Sequence, residues 1–456
     1  MRRTGLMLWL SLVGVSTLAP VAAGPLAVAG AMRGLAPAAA WAQGEPVEPD
    51  QALDLARRRV RRHPRDAEAY RRLGDAFVLK ARASGDMSYL ARAEEALRKS
   101  LELAPGSAGA WSHLAYVYLT RHQFAEAMTH AARAIALDAG SADAHGVLGD
   151  ALLELGRYEE AGAAYRRMVD LDGSLASFSR LSGLKNLRGD VEGAIADLEL
   201  AIRLGKANQN PREEVAWAHW QLGSDHWAVG NLEAAEEQYR EALALMPGYY
   251  RGLSGLAQVR AAQGRLAEAA ELYRKSLDVI PLPETAAALG DVQARLGRPD
   301  EARRQYAVVE YIGTLNAANQ AMYNRELALF YADHDMKLER ALDLTEREIR
   351  ERKDIYGYDA LAWVLYKSGR TAEAAAAMTE ALKLGTRDPR LFFHAGMIHA
   401  RLGDRARARE YLERARALNP RFHVMHAVVA ELTLGELSGD PVTSTASQSA
   451  TTPPAP

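Results

Sequence analysis

Residues able to do chemistry are few in this chain and far apart. His423 and His426 stand three positions apart in a stretch that reads as one last helix, a spacing that puts both imidazoles on one face. They would share a metal only with a third ligand, and no neighbouring residue supplies one. Asp333-His334-Asp335 sets two acids around an imidazole at a helix end, which reads as a turn and cap cluster; a metal held there by an enzyme accessory subunit is the bolder reading. The sequence lacks a Gly-rich loop ending in Gly-Lys-Ser/Thr, a His-Glu-x-x-His pair and a Gly-x-Ser-x-Gly elbow. It also has no cysteine, which excludes disulfides, thiol catalysis and zinc-thiolate sites. Neither an enzyme, a cofactor nor a metal is therefore expected. The aromatics give a sharper signal: Trp217, Trp220 and Trp227, at intervals of three and seven, share one helical face.

The elements that must position these residues recur about every 34 residues, the period of a helical hairpin array. Trp111-Leu114-Ala115-Tyr118-Ala127-Ala131-Ala134 is one copy, and His145-Leu148-Gly149-Leu152-Ala161-Tyr165-Met168 repeats its offsets. Further copies include Leu222-Gly223-Ala235-Tyr239-Ala242-Pro247, Leu289-Gly290-Ala302-Tyr306 and Phe392-Gly396-Ala408-Leu412-Ala415-Pro420. A degenerate unit spans Met322 to Arg352, and a loop insertion is expected near Ala83-Ser84-Gly85-Asp86. Each unit buries its apolar face only by stacking on its neighbours, so about ten units in phase predict a continuous solenoid.

These residues resemble the tetratricopeptide repeat family, whose pattern sets an aromatic, a Leu-Gly pair, a second aromatic, two alanines and a closing proline at these offsets. The resemblance covers Pro49 to Leu437 and implies an all-α, right-handed solenoid of about ten hairpins. It departs from the family at His226 and Arg260, which stand where a packing aromatic is usual. The resemblance also implies that first helices line a concave wall, which would carry Trp217, Trp220, Ser224 and Trp227 in one repeat. A core tryptophan would take the aromatic offset itself, as Trp111 does, so these three suggest an anchor platform, unless they pack on the irregular segment Gly205 to Pro211. A second patch joins Tyr356, Asp359, Trp363, Tyr366 and Lys367 with Phe393 and Met397 from the next helix; packing between repeats competes with binding there too. The family's clamp for chaperone termini needs Lys and Asn where this chain has Ser112 and Tyr116, Gly146 and Asp150, and Ser179 and Gly183, so that function is excluded. Phe330-Tyr331-Ala332-Asp333-His334, Asp359-Ala360-Leu361-Ala362-Trp363 and His394-Ala395-Gly396-Met397-Ile398 are similar to exported bacterial repeat proteins of unassigned function.

Residues 1–42 read as targeting: Arg2-Arg3, a charge-free Leu/Val/Ala stretch, then Ala40-Trp41-Ala42, a cleavage pattern for a signal peptide. A periplasmic or secreted bacterial protein cut after Ala42 is expected, with an inner-membrane anchor as the alternative. Residues 43–65 form a lead-in helix and half-repeat, 66–422 the array, 423–437 a capping helix and 438–456 a disordered Ser/Thr/Pro tail. Formal net charge is −2, and the densest basic run, Arg57-Arg58-Arg59 with Arg61-Arg62, reads as a solvated helix face, so nucleic acid is not an expected partner. The sequence thus predicts a non-catalytic scaffold that binds protein or peptide segments along its concave face. The alternative is a glycan-binding or envelope-polymer assembly factor whose tryptophans stack on sugars.

Overall fold

A computed structural model of the protein describes residues 49–84, 86–318 and 324–438. The targeting segment, most of the terminal tail and Gly85 of the insertion lie outside the described residues. Helix α1 (Pro49–Arg62) leads into ten antiparallel hairpins: α2 (Ala67–Ser84) with α3 (Ser88–Leu103), α4 (Ala108–Thr120) with α5 (Phe124–Leu137), α6 (Ala142–Glu154) with α7 (Tyr158–Leu171), α8 (Leu175–Leu187) with α9 (Val191–Ala207), α10 (Arg212–Ala228) with α11 (Leu232–Leu245), α12 (Tyr250–Ala262) with α13 (Leu266–Val279), α14 (Pro283–Arg295) with α15 (Pro299–Ala318), α16 (Asn324–Asp333) with α17 (Leu338–Glu351), α18 (Ile355–Lys367) with α19 (Thr371–Ala381), and α20 (Pro389–Arg401) with α21 (Arg405–Leu418). Helix α22 (His426–Ser438) closes the stack. No strand occurs among the described residues, and no described helix is long and apolar enough to cross a membrane.

The hairpin is locked at the glycine of the Leu-Gly pair. A Cβ on Gly149 would stand 2.3 Å from the Tyr165 ring, so only glycine lets α7 press its aromatic onto α6. The next residue then completes the contact, because Tyr165 Oη donates to Asp150 Oδ1 at 3.0 Å. Tyr306 donates to Asp291 in the same way, at 2.9 Å. Helices α4 and α6 start on extended serines whose hydroxyls accept backbone N–H groups, Ser107 from Ala110 and Ser141 from Ala144, and α18 and α20 start on Asp354 and Asp388 in the same role.

The coil winds tightly enough to meet itself. Residues 192 to 199 apart in sequence hydrogen bond across a seam between successive turns: Asn419 Nδ2 donates to Trp227 O (2.7 Å), Ile355 N to Tyr158 Oη (2.8 Å), and Thr386 Oγ1 to Leu187 O. Arg352 pairs with Glu154 at the same seam, and Arg387 pairs with Glu192 at 3.0 Å. One apolar core runs through it, joining Leu152, Tyr158 and Leu187 of the earlier turn to Ile355, Leu391 and Phe422 of the later one. The seam also explains a difference among turn glycines. Gly156, Gly189, Gly230, Gly264 and Gly369 all have positive φ, as the tight turn inside the hairpin requires. Only the first three face the next turn of the coil, where an added Cβ would lie 2.5 to 2.6 Å from the carbonyl oxygens of Lys353, Gly385 and Leu418.

Two boundaries differ from the sequence reading. Helix α9 runs on through Ala207, so the segment expected to be irregular from Gly205 is helical for its first three residues, with Gly205 closely packed on Leu175 and Val215. The cap helix starts at His426 and not at 423, because His423 Nδ1 accepts the N–H groups of Met425 and His426, both at 3.3 Å, and ends the preceding turn.

The seam predicts unequal costs for equal substitutions. Gly264→Ala and Gly369→Ala should each lose only the left-handed backbone penalty, about 1–2 kcal/mol. Gly156→Ala and Gly189→Ala should lower the melting temperature further, since the methyl also pushes two turns of the coil apart. Equal melting shifts across the four variants would mean that the turns do not touch in solution.

Candidate functional site

The first helices form the inner wall, and in this tight coil that wall is packed. Trp217 is buried against Leu175, Leu198, Ile202 and Tyr249. Trp220 is half-buried, its ring 6.3 Å from that of Trp217 and covered by the Arg251 guanidinium at 4.8 Å. Ser224 donates to Trp220 O at 3.0 Å and lies 3.3 Å from Tyr239 Oη. Trp227 stands apart from the other two, half-buried at the seam where Asn419 meets its carbonyl. The second patch is brought together, but as a cluster of stacked rings. Trp363 lies between Tyr366 (4.9 Å) and His394 (4.2 Å), with Phe393 at 5.6 Å, and all four are buried. Tyr356 and Lys367 are half-buried at its margin, with Lys367 paired to Asp335 at 2.7 Å.

A ladder of buried and half-buried polar pairs links first helices of successive repeats, α12 excepted. Asp75 meets His113 (2.6 Å), Asp150 meets Arg180 (2.8 Å), Asn186 donates to Asp225 (2.7 Å), Asp291 meets His334 (2.9 Å), Trp363 donates to Asp333 (2.7 Å), and Asp359 meets His394 (2.8 Å). Buried charges persist only when paired in this manner. His334 illustrates the logic: both ring nitrogens face acceptors, Phe330 O at 2.8 Å and Asp291 at 2.9 Å. Burial opposes its charge, but the Asp291 carboxylate outweighs burial and holds its pKa above the usual value. The triplet at 333 to 335 is thus a branching point, its members reaching Trp363, Asp291 and Lys367 respectively. Arg260, at an aromatic's usual position, is buried in a fork with Glu236 at 2.6 and 2.8 Å. The sequence did carry a sign of the ladder, since Asp75, Asp150 and Asp291 each follow a Leu-Gly pair.

An open volume remains where the first turn meets the cap. A cavity of about 780 Å³ lies among α10, α12, α13, α14 and α22, lined by Trp227, Gln258, Tyr273, Asp291, Phe422 and Val428. His423 also lines it; burial, with the neighbouring His426, pushes its imidazole down to about 3, so it enters the cavity neutral at physiological pH. Of the residues singled out in the sequence as binding candidates, only Trp227 lines this cavity. Val428 comes from the cap helix, Phe422 and His423 from the turn before it, and Gln258 from a repeat more than 160 residues earlier in the chain, a juxtaposition that local spacing does not encode.

Comparison with known proteins follows the repeat boundaries. Sequence profiles described as tetratricopeptide repeat match residues 114–176, 221–281 and 360–421; a second profile of that description matches 173–247 and a third 283–307. No curated protein matches the chain. Among solved structures it is similar to the Cut9-Hcn1 hetero-tetramer of the APC/C, at 13% identity over 86% of this chain and 90% of that one, with a TM-score of 0.36. Yeast Tom70 is similar at 14% identity over 84% and 99%, TM-score 0.33. MamA is similar at 22% identity over 38% and 97%, TM-score 0.31.

Asp225 gives the wall a measurable pH response. Burial raises its carboxyl to about 7, because its partners are the neutral amides of Gln221 and Asn186. The folded chain therefore keeps a proton that the unfolded chain releases near its ordinary value, so this group makes stability fall as pH rises towards about 7. Asp225→Asn should melt above the parent protein, by a margin that widens between about pH 4 and about pH 7 and then stays level. A margin independent of pH would place the charge elsewhere.

Proposed function

The chain belongs to the tetratricopeptide repeat family, whose stacked hairpins serve as protein-interaction scaffolds; from that premise we propose that it is a non-catalytic scaffold gripping an extended peptide segment in the cavity between coil and cap. The observation that carries this reading is the cavity itself. Its size falls in the range of about 300–1,000 Å³ usual for binding sites, and aromatic and aliphatic side chains share its lining with a few polar groups. Arg295, Arg421 and Glu431 at its edge supply both signs of charge for a peptide backbone and its termini. Affinity then comes from a few anchors, with Trp227 the foremost, and not from the total area of the wall. The tryptophans and rings packed into the wall, Trp217 and Trp363 above all, support the site by fixing its shape.

Affinity capture from a cell-envelope extract tests this, with untagged parent protein compared against Trp227→Ala and Val428→Glu, each checked for unchanged helicity and melting. A protein retained by the parent and lost from both variants supports the cavity as the groove; equal retention by all three places binding elsewhere. Export is part of the same proposal, supported by Arg2-Arg3, the apolar stretch after them and Ala40-Trp41-Ala42. Intact mass of the protein recovered from its host should correspond to a chain starting at Gln43. A mass that includes Met1 in a membrane fraction would favour the retained anchor.

A further inference from the structure

Asp333, His394 and His426 come from the first helices of two repeats and from the cap, and each offers a ligand atom within 4.8 Å of the other two. The His426 Nε2 to Asp333 Oδ1 distance is 3.3 Å, close to the edge of a tetrahedron of metal bonds about 2.0–2.1 Å long. Three further observations bear on what the cluster is for. His394 is 3% exposed, and its Nε2 has no hydrogen-bond partner, an expense rarely met in a buried imidazole. Its other nitrogen, Nδ1, lies 2.8 Å from Asp359 Oδ1 and donates to it, which fixes the tautomer and leaves the lone pair on Nε2. The third ligand is braced likewise, because the Trp363 indole donates to Asp333 Oδ1 at 2.7 Å while its ring stacks on His394 at 4.2 Å. A carboxylate behind a histidine whose outer nitrogen is free is the usual outer support of a metal ligand.

We propose that Asp333, His394 and His426 form a binding site for a divalent transition-metal ion of the zinc class, with Asp359 and Trp363 as positioning residues. Two imidazoles and one carboxylate leave a fourth position open, and Asp333 is only half-buried, so the ion is reached from solvent. The His394 Nε2 lone pair binds directly, and the ion bridges His426 Nε2 and Asp333 Oδ1 across the 3.3 Å that separates them. Its consequence is mechanical: the ion ties α16 and α20 to α22, and His426 stacks at 4.2 Å on the cavity-lining His423. This inference stands on the cluster alone and does not depend on what the cavity holds. The pair at 423 and 426 therefore divides its work, with His423 closing the turn before the cap and His426 facing ligands that the sequence places 93 and 32 residues away.

The test is titration of the full, untagged, chelator-stripped protein with Zn²⁺ at pH 7.5, followed calorimetrically, and with Co²⁺, followed by its visible absorption. Parent protein should bind one equivalent tighter than about 10 µM, show the intense visible bands of a low-coordinate cobalt site, and melt at higher temperature when loaded. His394→Gln and His426→Gln should weaken binding at least about 100-fold, and Asp359→Asn by about 10–100-fold, while the metal-free variants keep the parent's helicity. Lys275→Ala, an exposed residue of α13 paired only with Glu271 one turn earlier on the same helix, serves as a control that binds as the parent does. Binding by the two histidine variants equal to the parent's, or no Zn²⁺ uptake tighter than about 10 µM by the parent, overturns the site and leaves a structural polar cluster in its place.

Discussion

The return of the coil onto itself is the constraint on which the rest of this structure depends. An ordinary solenoid repeat touches only its two neighbours, so its inner and edge surfaces stay wet. Here the turns of three hairpins are pressed against the loops of others nearly 200 residues further on, and a single core is shared between them. Away from the seam the wall is closed by neighbouring repeats, which is why Trp217 and Trp363, at the offsets of groove residues, are buried among side chains of adjacent helices. The cavity remains where the cap faces the earlier turn of the coil.

Removing the wall from water sets an electrostatic problem that the chain solves pair by pair. The acids after the Leu-Gly pairs at 75, 150 and 291 are each held by a tyrosine, an arginine or a histidine from a nearby helix. Each pair has little net worth against water, yet loss of either member would strand a buried charge at a cost of about 3–5 kcal/mol. The ladder thereby specifies which faces of successive hairpins may meet, a job that alanine-rich helices do poorly because their apolar faces are nearly interchangeable. Asp225 is the exception: two amides donate to its Oδ1, its Oδ2 has no hydrogen-bond partner, and burial without a counter-charge raises its proton affinity.

The hairpin array was legible in the sequence because each unit is a local object: its glycine, its aromatics and its alanines lie within one period. Ten hairpins, a leading helix and a closing helix follow from that reading, and errors were confined to helix ends such as that of α9, where Gly205 packs instead of breaking the helix. The second aromatic patch was likewise found as a neighbourhood, since Trp363, Tyr366 and Phe393 do meet. Its character was not legible, because whether a ring on the inner face is open or covered depends on the pitch of the coil, a sum of small rotations over many repeats. For the same reason the partners of His426 were invisible: Asp333 and His394 lie three and one repeats earlier, and only the assembled stack brings them to it.

The three crowded turn glycines carry a consequence for how such a chain can change over generations. Repeat arrays usually grow or shrink by duplication and loss of whole units, since each unit asks only for a neighbour. A unit lost between Gly230 and Lys353 would bring the preceding hairpin's turn, with His122 where the others have glycine, opposite the Lys353 carbonyl, whereas a unit gained after Gly264 would set Gly189, Gly230 and Gly264 opposite the same three carbonyls. The turn glycine that recurs with the array thus lets the coil lengthen by a whole unit more readily than it can shorten by one.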